Sequence, residues 1–100
     1  MTLTLGREIF SETEWSKIVE SLSLSPRQDE VAKSLFLGMS DKQIARELEI
    51  SIPTVRTHLS RLFLKFDVQD RGELILHFIY HFRQISEQRF GQFSQQRLVS

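Results

Sequence analysis

Apolar residues recur along this chain at intervals of three and four, the spacing of one face of an α-helix. Four of these residues form the most regular stripe: Val55, Leu59, Leu62 and Phe66. No segment shows the alternation of apolar and polar residues that is typical of a β-strand. The pattern therefore predicts an all-α fold, a small bundle of about five helices.

Short polar side chains that can cap a helix precede each apolar stripe. Four of them are followed three residues later by Glu or Gln, which completes a capping box. These pairs are Ser11 with Glu14, Ser25 with Gln28, Ser40 with Gln43, and Asp70 with Glu73. Ser51 is a fifth cap without a return partner, and Gly38 is placed to end the helix that begins at Pro26. The caps predict where all five helices start, and the last apolar stripe ends near Phe82.

Composition narrows the function classes. The 100 residues include no cysteine, which excludes disulfides, thiol catalysis and cysteine-ligated zinc. No apolar run approaches the roughly 20 residues of a membrane span, and residues 1–11 lack the pattern of a signal peptide. We expect a cytoplasmic protein without membrane partners. A chain this short has little room for a deep substrate cleft, so we also expect that it is not an enzyme.

The formal net charge of zero hides an uneven distribution along the chain. Residues 1–30 carry three basic and six acidic side chains, whereas residues 52–66 carry three basic and no acidic ones. One basic helix in a protein of zero net charge indicates a polyanionic partner that binds at this helix.

Residues 41–66 have the spacing of a helix-turn-helix: a helix of about eight residues, a three-residue connection and a longer helix. A helix fits the DNA major groove, where its N-terminal side chains reach base edges. Projection at 100° per residue places Arg56, Thr57, Ser60, Arg61 and Leu64 opposite the buried stripe. Arg61, Lys65 and His58 lie toward a flank, where phosphates would run. We therefore predict double-stranded DNA as the partner.

The sequence blocks resemble the LuxR/GerE-type helix-turn-helix over about residues 24–82. The matching blocks are Leu24–Val31 (LSPRQDEV), Gly38–Ala45 (GMSDKQIA), Leu48, Ile50–Ser51, Thr54–His58 (TVRTH), Lys65 and Arg71. The resemblance implies that the helix 52–66 is the recognition helix. It assigns base contacts to Arg56, Thr57 and Ser60. DNA-backbone contacts are expected from Thr54, His58, Arg61, Lys65, Lys42 and Ser40. The helix after Asp70 corresponds to the dimerisation helix of the family, and the proteins that carry such domains are bacterial transcriptional regulators.

Four positions depart from the family pattern. Gln28 replaces the usual Glu, Ser34 the usual Leu, and Glu49 the usual turn Gly. Glu49 is expected in a left-handed conformation that costs about 1 kcal/mol. Leu64 stands where Lys or Arg is common, which leaves one fewer phosphate contact. Such domains usually follow a receiver or ligand-sensing domain, but here only about 23 residues precede the motif, so we expect the signal to enter outside this chain.

The last helix has apolar residues on two faces, because Leu76, Ile79 and Tyr80 point away from its other apolar residues. A helix with two apolar faces usually buries both, which predicts a homodimer. The alternative is that an accessory helix at about 11–22, within residues 1–23, folds back over this face. Residues 83–100 are polar and are expected to form a frayed helical extension followed by a disordered tail.

Other functions stay open. The motif could serve as an adaptor that docks on RNA polymerase or another regulator, or as a sigma-factor-like fragment that reads promoters only beside polymerase. His77 and His81 have a metal-ligand spacing, but no third ligand is evident. We predict a packed aromatic helix there, and assign no metal, cofactor or small-molecule ligand.

Overall fold

The computed structural model describes the backbone of residues 9–99 and the side chains of residues 9–86. Within that part, five helices have described bounds, and there are no strands. They are α1 (Glu12–Leu22), α2 (Pro26–Phe36), α3 (Asp41–Leu48), α4 (Ile52–Phe66) and α5 (Arg71–Val99). The predicted all-α bundle is confirmed. No helix among these residues is long and apolar enough to cross a membrane.

The helices begin at the caps that the sequence predicts. Reciprocal capping boxes form at Ser11, Ser25 and Ser40, and the Ser51 hydroxyl accepts the N–H of Thr54. The fourth box differs in one bond. Asp70 accepts the N–H of Glu73, but the Glu73 carboxylate accepts from Gln69 rather than from Asp70. These bonds satisfy backbone donors that a helix start leaves without a partner.

Left-handed residues end several helices. Gly38 (φ 78°) follows α2, and Glu49 (φ 58°) caps α3, as predicted. Ser23 and Asp67 (both φ 55°) cap α1 and α4, which the sequence analysis did not predict. A left-handed conformation costs a residue with a Cβ about 1 kcal/mol. Within residues 9–99, the chain therefore makes sharp turns at three positions without glycine.

One core joins the five helices. Every helix contributes to it, and the largest fully buried side chains are Phe78, Ile18, Ile44, Leu62, Leu74, Val31 and Val55. In α4 the predicted stripe is buried at Val55, Leu59 and Leu62, while Phe66 is half-buried. This burial fixes the face of α4 that points away from the core.

An aromatic cluster forms part of the core. Its members are Phe10, Trp15, Phe36, Phe78 and Phe82, with ring centroids of contacting pairs 5.2–6.2 Å apart. The indole Nε1 of Trp15 donates to Asp29 Oδ1 at 2.7 Å, so its polar atom is satisfied inside the fold. The cluster locks α1 onto α2 and α5.

The accessory helix α1 does fold back onto α5. Trp15 contacts Phe78, and the Ser21 hydroxyl lies 2.7 Å from His81 Nε2. These contacts do not involve the second apolar face of α5. Leu76 and Tyr80 remain 52% and 60% exposed, while Ile79 is half-buried against the core. Homodimerisation through these residues stays a prediction.

The last helix extends beyond its apolar stripe. Its apolar stripe ends near Phe82, but its backbone is helical to Val99. Gln, Glu and Arg have good helix propensity, so the helix can continue where the apolar pattern stops. The predicted fraying and disorder of residues 83–100 stay a prediction, since the side chains of residues 87–100 lie outside the described part.

Candidate nucleic-acid interface

The α3–α4 pair forms the helix-turn-helix. The helix α3 ends at Leu48, and the left-handed Glu49 reverses the chain direction. Ile50 packs on the core, and the cap at Ser51 starts α4 two residues after Glu49. Burial of Ile44, Ala45 and Val55 fixes the two helices against each other. Burial of the inner face of α4 thereby fixes the orientation of its outer face.

The outer face of α4 carries the predicted base-contacting residues. Arg56, Thr57 and Ser60 are all exposed, as is Arg61 one position further along. Leu64 is 81% exposed at the C-terminal end of this face. The structure thus brings the three predicted base-contacting residues together on one solvent-facing surface of α4.

The hydroxyls near the start of α4 already have partners within the chain. Thr57 Oγ1 donates to the Pro53 carbonyl at 3.0 Å, and Thr54 Oγ1 lies 2.8 Å from Ser51 Oγ. A hydroxyl oxygen retains acceptor capacity after donating its proton. Thr57 can therefore still accept from a base or offer its methyl group to a thymine.

Arg56 is paired in the free protein. Its Nε donates to Asp41 Oδ2 at 3.1 Å, and Asp41 Oδ1 accepts from Arg71 Nη2. Arg71 Nη1 also donates to the Met39 carbonyl at 3.2 Å. We call Asp41, Arg56 and Arg71 the Asp41 clamp. It links the first residues of α3 and α5 to the N-terminal half of α4.

The charge of Asp41 is stabilised by this arrangement. Burial acts to raise the pKa of its carboxyl, but hydrogen bonds and charge from Arg71 and Arg56 together outweigh burial, so the pKa lies below its ordinary value of 3.8. Asp41 is therefore anionic at neutral pH. The clamp residues line an open groove of about 370 Å³ whose other lining residues include Phe63 and Ser60.

Lys65 lies on the opposite flank of α4. Its ammonium donates to the Ser23 carbonyl at 3.1 Å and to Gln28 Oε1 at 3.3 Å, and lies 5.6 Å from the Phe66 ring centroid. The neutral amide of Gln28 thus serves both the cap of α2 and Lys65. Lys65 is engaged by the protein itself, and its contact with a phosphate stays a prediction.

The other residues that are predicted to contact the DNA backbone lie in different environments. Thr54, Arg61 and Lys42 are exposed, whereas His58 is half-buried. Ser40 is exposed but caps α3, where its hydroxyl accepts from Gln43 at 3.2 Å. Their contacts with DNA likewise stay predictions.

Three residues have contacts that the sequence did not predict: Asp41, Arg71 and Gln28. Asp41 and Arg71 belong to the matched pattern but were given no role, and Gln28 was considered only as a cap and a departure. Their pairing depends on residues 15 to 37 positions away. Only the unbalanced charge of α4 could have hinted that a carboxylate lies beside Arg56.

The two histidines of α5 have separate partners. His81 contacts Ser21, and the His77 ring lies 5.0 Å from the Phe66 ring. Burial, followed by the charge of His77, lowers the pKa of His81 below its ordinary value of 6.5. Across the part of the chain with described side chains, no group of three or more potential ligands could hold a metal ion.

Comparison with known proteins places the helix-turn-helix in a family. A family model described as "Bacterial regulatory proteins, luxR family" matches residues 22–78. The chain is 42% identical over 52 residues to a monoamine regulon transcriptional regulator of Klebsiella aerogenes. It is 43% identical over 56 residues to the CsgBAC operon transcriptional regulatory protein of Escherichia coli and 32% identical over 60 residues to the transcriptional regulator MalT of Vibrio campbellii.

These matches concern one part of larger proteins. They cover 52%, 56% and 60% of this chain, but only 23%, 26% and 7% of the respective relatives. The chain thus spans about a quarter or less of the length of the curated relatives it matches. No solved structure gives a significant match.

Proposed function

The chain belongs to the luxR family of bacterial regulatory proteins, and on that premise we propose that it regulates transcription by sequence-specific binding of double-stranded DNA. In this proposal α4 enters the major groove. The relatives named above are transcriptional regulators, which supports a regulatory role for this chain. The observation that carries the proposal is the exposed outer face of α4, with Arg56, Thr57, Ser60 and Arg61 side by side.

Each residue of this face has a role suited to its chemistry. Arg56 reads guanine, because a guanidinium can donate two parallel hydrogen bonds to the O6 and N7 acceptors. Thr57 contacts a thymine methyl or a base-edge donor, and Ser60 is small enough to let the helix approach closely. Arg61 binds phosphate, which positions the helix without selecting a sequence.

Dimerisation completes the proposed mode of binding. The exposed Leu76 and Tyr80 on α5 form a small apolar surface next to the half-buried Ile79. A second copy that packs on this surface would be related by two-fold symmetry, which places two α4 helices on one duplex. The DNA site would then contain two half-sites about one helical turn apart, or a similar distance.

Salt-dependent DNA binding tests this proposal. The full chain is titrated onto labelled random-sequence duplexes by fluorescence anisotropy at several salt concentrations. Wild type is compared with the double variant Arg56→Ala, Arg61→Ala. The matched control is Lys17→Ala, Lys33→Ala, which removes the same charge from α1 and α2. Affinity should fall by about 0.9 log units per log unit of salt for each phosphate contacted.

The expected result is a steep salt dependence that the α4 variant reduces and the control variant retains. A flat response with weak binding for wild type would contradict DNA binding and would favour the adaptor, which docks on RNA polymerase or another regulator. Equal losses in both double variants would mean that positive charge alone, rather than α4, determines binding.

A further inference from the structure

The Asp41 clamp affects how Arg56 can read a base. This inference rests on the proposed function of α4. Asp41 uses only the Nε–H of Arg56. Among the described side chains, the two terminal nitrogens of Arg56 take no hydrogen-bond partner. A guanidinium carries five N–H donors in a fixed plane, so a contact at Nε leaves the terminal fork intact. That fork is the part of arginine that matches guanine O6 and N7.

Within the clamp, Asp41 is less exposed and has more hydrogen-bond partners than Arg56. The Asp41 side chain is 21% exposed, whereas that of Arg56 is 68% exposed. Asp41 is also held by Arg71, which is anchored in turn to the Met39 carbonyl. An isolated surface ion pair orders its side chains weakly, but a shared carboxylate in a network does so more effectively. Asp41 is therefore the more constrained partner of this ion pair.

Asp41 also places a negative charge beside a surface that is proposed to approach phosphates. That charge opposes binding to any duplex, whatever its sequence. The same carboxylate therefore has two opposite effects: it weakens sequence-independent attraction and orders the side chain that reads a base. Both effects increase the ratio of specific to non-specific affinity, which is the quantity that matters for a regulator.

We propose that Asp41 determines DNA specificity as a positioning residue that holds Arg56 by its Nε and directs the terminal nitrogens of Arg56 toward the groove. Asp41 itself does not contact a base. It acts through Arg56, and its contact with Arg71 supplies the rigid support. A residue that merely stabilised the fold would affect specific and non-specific binding in the same direction.

The test compares binding to a preferred duplex, selected from a random pool with the full chain, and to its single-base variants. The proteins are wild type, Asp41→Asn, Arg56→Ala and the double variant. The control Glu47→Gln removes one exposed carboxylate from the same helix. Thermal unfolding confirms that each protein is folded during the titration. Random-sequence duplex reports non-specific affinity at the same salt concentration.

Two opposite changes are expected for Asp41→Asn. Random-duplex affinity should rise, whereas the preference at the base pair read by Arg56 should fall about three- to tenfold, part of the roughly 5- to 150-fold that a good bidentate contact provides. In the Arg56→Ala background, Asp41→Asn should not change that preference further. Glu47→Gln should leave the preference intact.

Three results would overturn the inference. They are an unchanged base preference in Asp41→Asn, a parallel loss on preferred and random duplexes, and a preference in the Arg56→Ala background that still depends on Asp41. A wild-type protein that binds no duplex would instead refute the proposed function, and this inference with it. If wild type binds DNA but Arg56→Ala keeps the same base preference, only the inference and the base-reading role of Arg56 are refuted.

A measurement on the unaltered chain covers the case in which Asp41→Asn does not fold. In ¹⁵N-labelled protein, the Nε–H signal of Arg56 should be protected from solvent exchange before DNA is added. It should remain protected when the preferred duplex is bound, since Asp41 keeps that donor. Loss of protection on binding would mean that Arg56 leaves Asp41 to reach the DNA, which contradicts the inference.

Discussion

The aromatic cluster and the outer face of α4 use their side chains in opposite ways. In the cluster, rings from α1, α2 and α5 pack on one another, and Phe10, Trp15, Phe36 and Phe78 are buried. On α4, Arg56, Thr57 and Ser60 are exposed and make only local or ion-pair contacts. In the proposed function, stability and recognition therefore depend on different residues, and substitutions should separate them.

The largest effect is expected in the cluster. Trp15→Ala removes ring contacts and a hydrogen bond to Asp29, and should lower the free energy of unfolding by about 3–5 kcal/mol. Urea unfolding followed by circular dichroism measures this loss. At low temperature, the protein that remains folded should keep the wild-type base preference. A changed preference would mean that the two regions are coupled.

Arg56→Ala should have the converse effect. It should cost about 1–3 kcal/mol of binding on the preferred site and relax the preference at one base pair. Its effect on unfolding should be small, because an exposed ion pair contributes at most about 1 kcal/mol. Titrations on single-base variants of the site measure the preference. An equal loss on every sequence would contradict the base-reading role.

Glu49 tests the turn that joins the two helices of the motif. Its left-handed backbone favours glycine, so Glu49→Gly should raise the free energy of unfolding by up to about 1 kcal/mol. Ser51→Ala, which removes the adjacent cap of α4, is the opposing control and should lower it by about 1 kcal/mol. If Glu49→Gly destabilises the protein, the Glu49 side chain has a stabilising contact that this account lacks.

Single charges on α4 should change binding less and without regard to sequence. Arg61→Ala and Lys65→Ala should each flatten the salt dependence by about one phosphate contact, and Leu64→Lys should raise non-specific affinity. Lys65→Ala should also lower stability, since its ammonium bonds Ser23 and Gln28. Fluorescence anisotropy titrations at several salt concentrations measure the DNA affinity of each variant. An unchanged affinity in Leu64→Lys would place Leu64 outside the DNA footprint.

The smallest expected effect is a pH dependence at the α1–α5 contact. The lowered pKa of His81 means that the unfolded chain binds its proton more readily than the folded chain does. The stability contributed by neutral His81 is present above pH 6.5 and is lost as pH falls below that value. Melting temperatures should therefore be lower at pH 5.5 than at pH 7.5, and His81→Gln should reduce the difference. An identical difference in His81→Gln would contradict this origin.

The helix starts could be predicted because capping is a local interaction. Ser25 and Gln28, for example, are only three positions apart, and they form the expected box. The buried stripe of α4 was equally predictable, since a periodicity of 3.6 residues decides which face is covered. The exposed face carrying Arg56 followed from the same projection.

Tertiary pairing was not predictable in this way. The pairs Asp41–Arg56 and Lys65–Gln28 join residues 15 and 37 positions apart, and no local pattern specifies them. The apolar stripe also does not define the end of the last helix, because a stripe reports burial and not the length of a helix. Which of the predicted residues touch DNA depends on a partner as well as on the fold.

The central claim is that the outer face of α4, and not the aromatic cluster, meets DNA. Titration of ¹⁵N-labelled full chain with a preferred duplex, followed by amide chemical shifts, tests it most directly. The largest shifts should fall on residues 54–61 and on the start of α3, with residues 10–22 nearly unchanged. Shifts confined to α1 and α5, or no shifts at saturating DNA, would contradict the account.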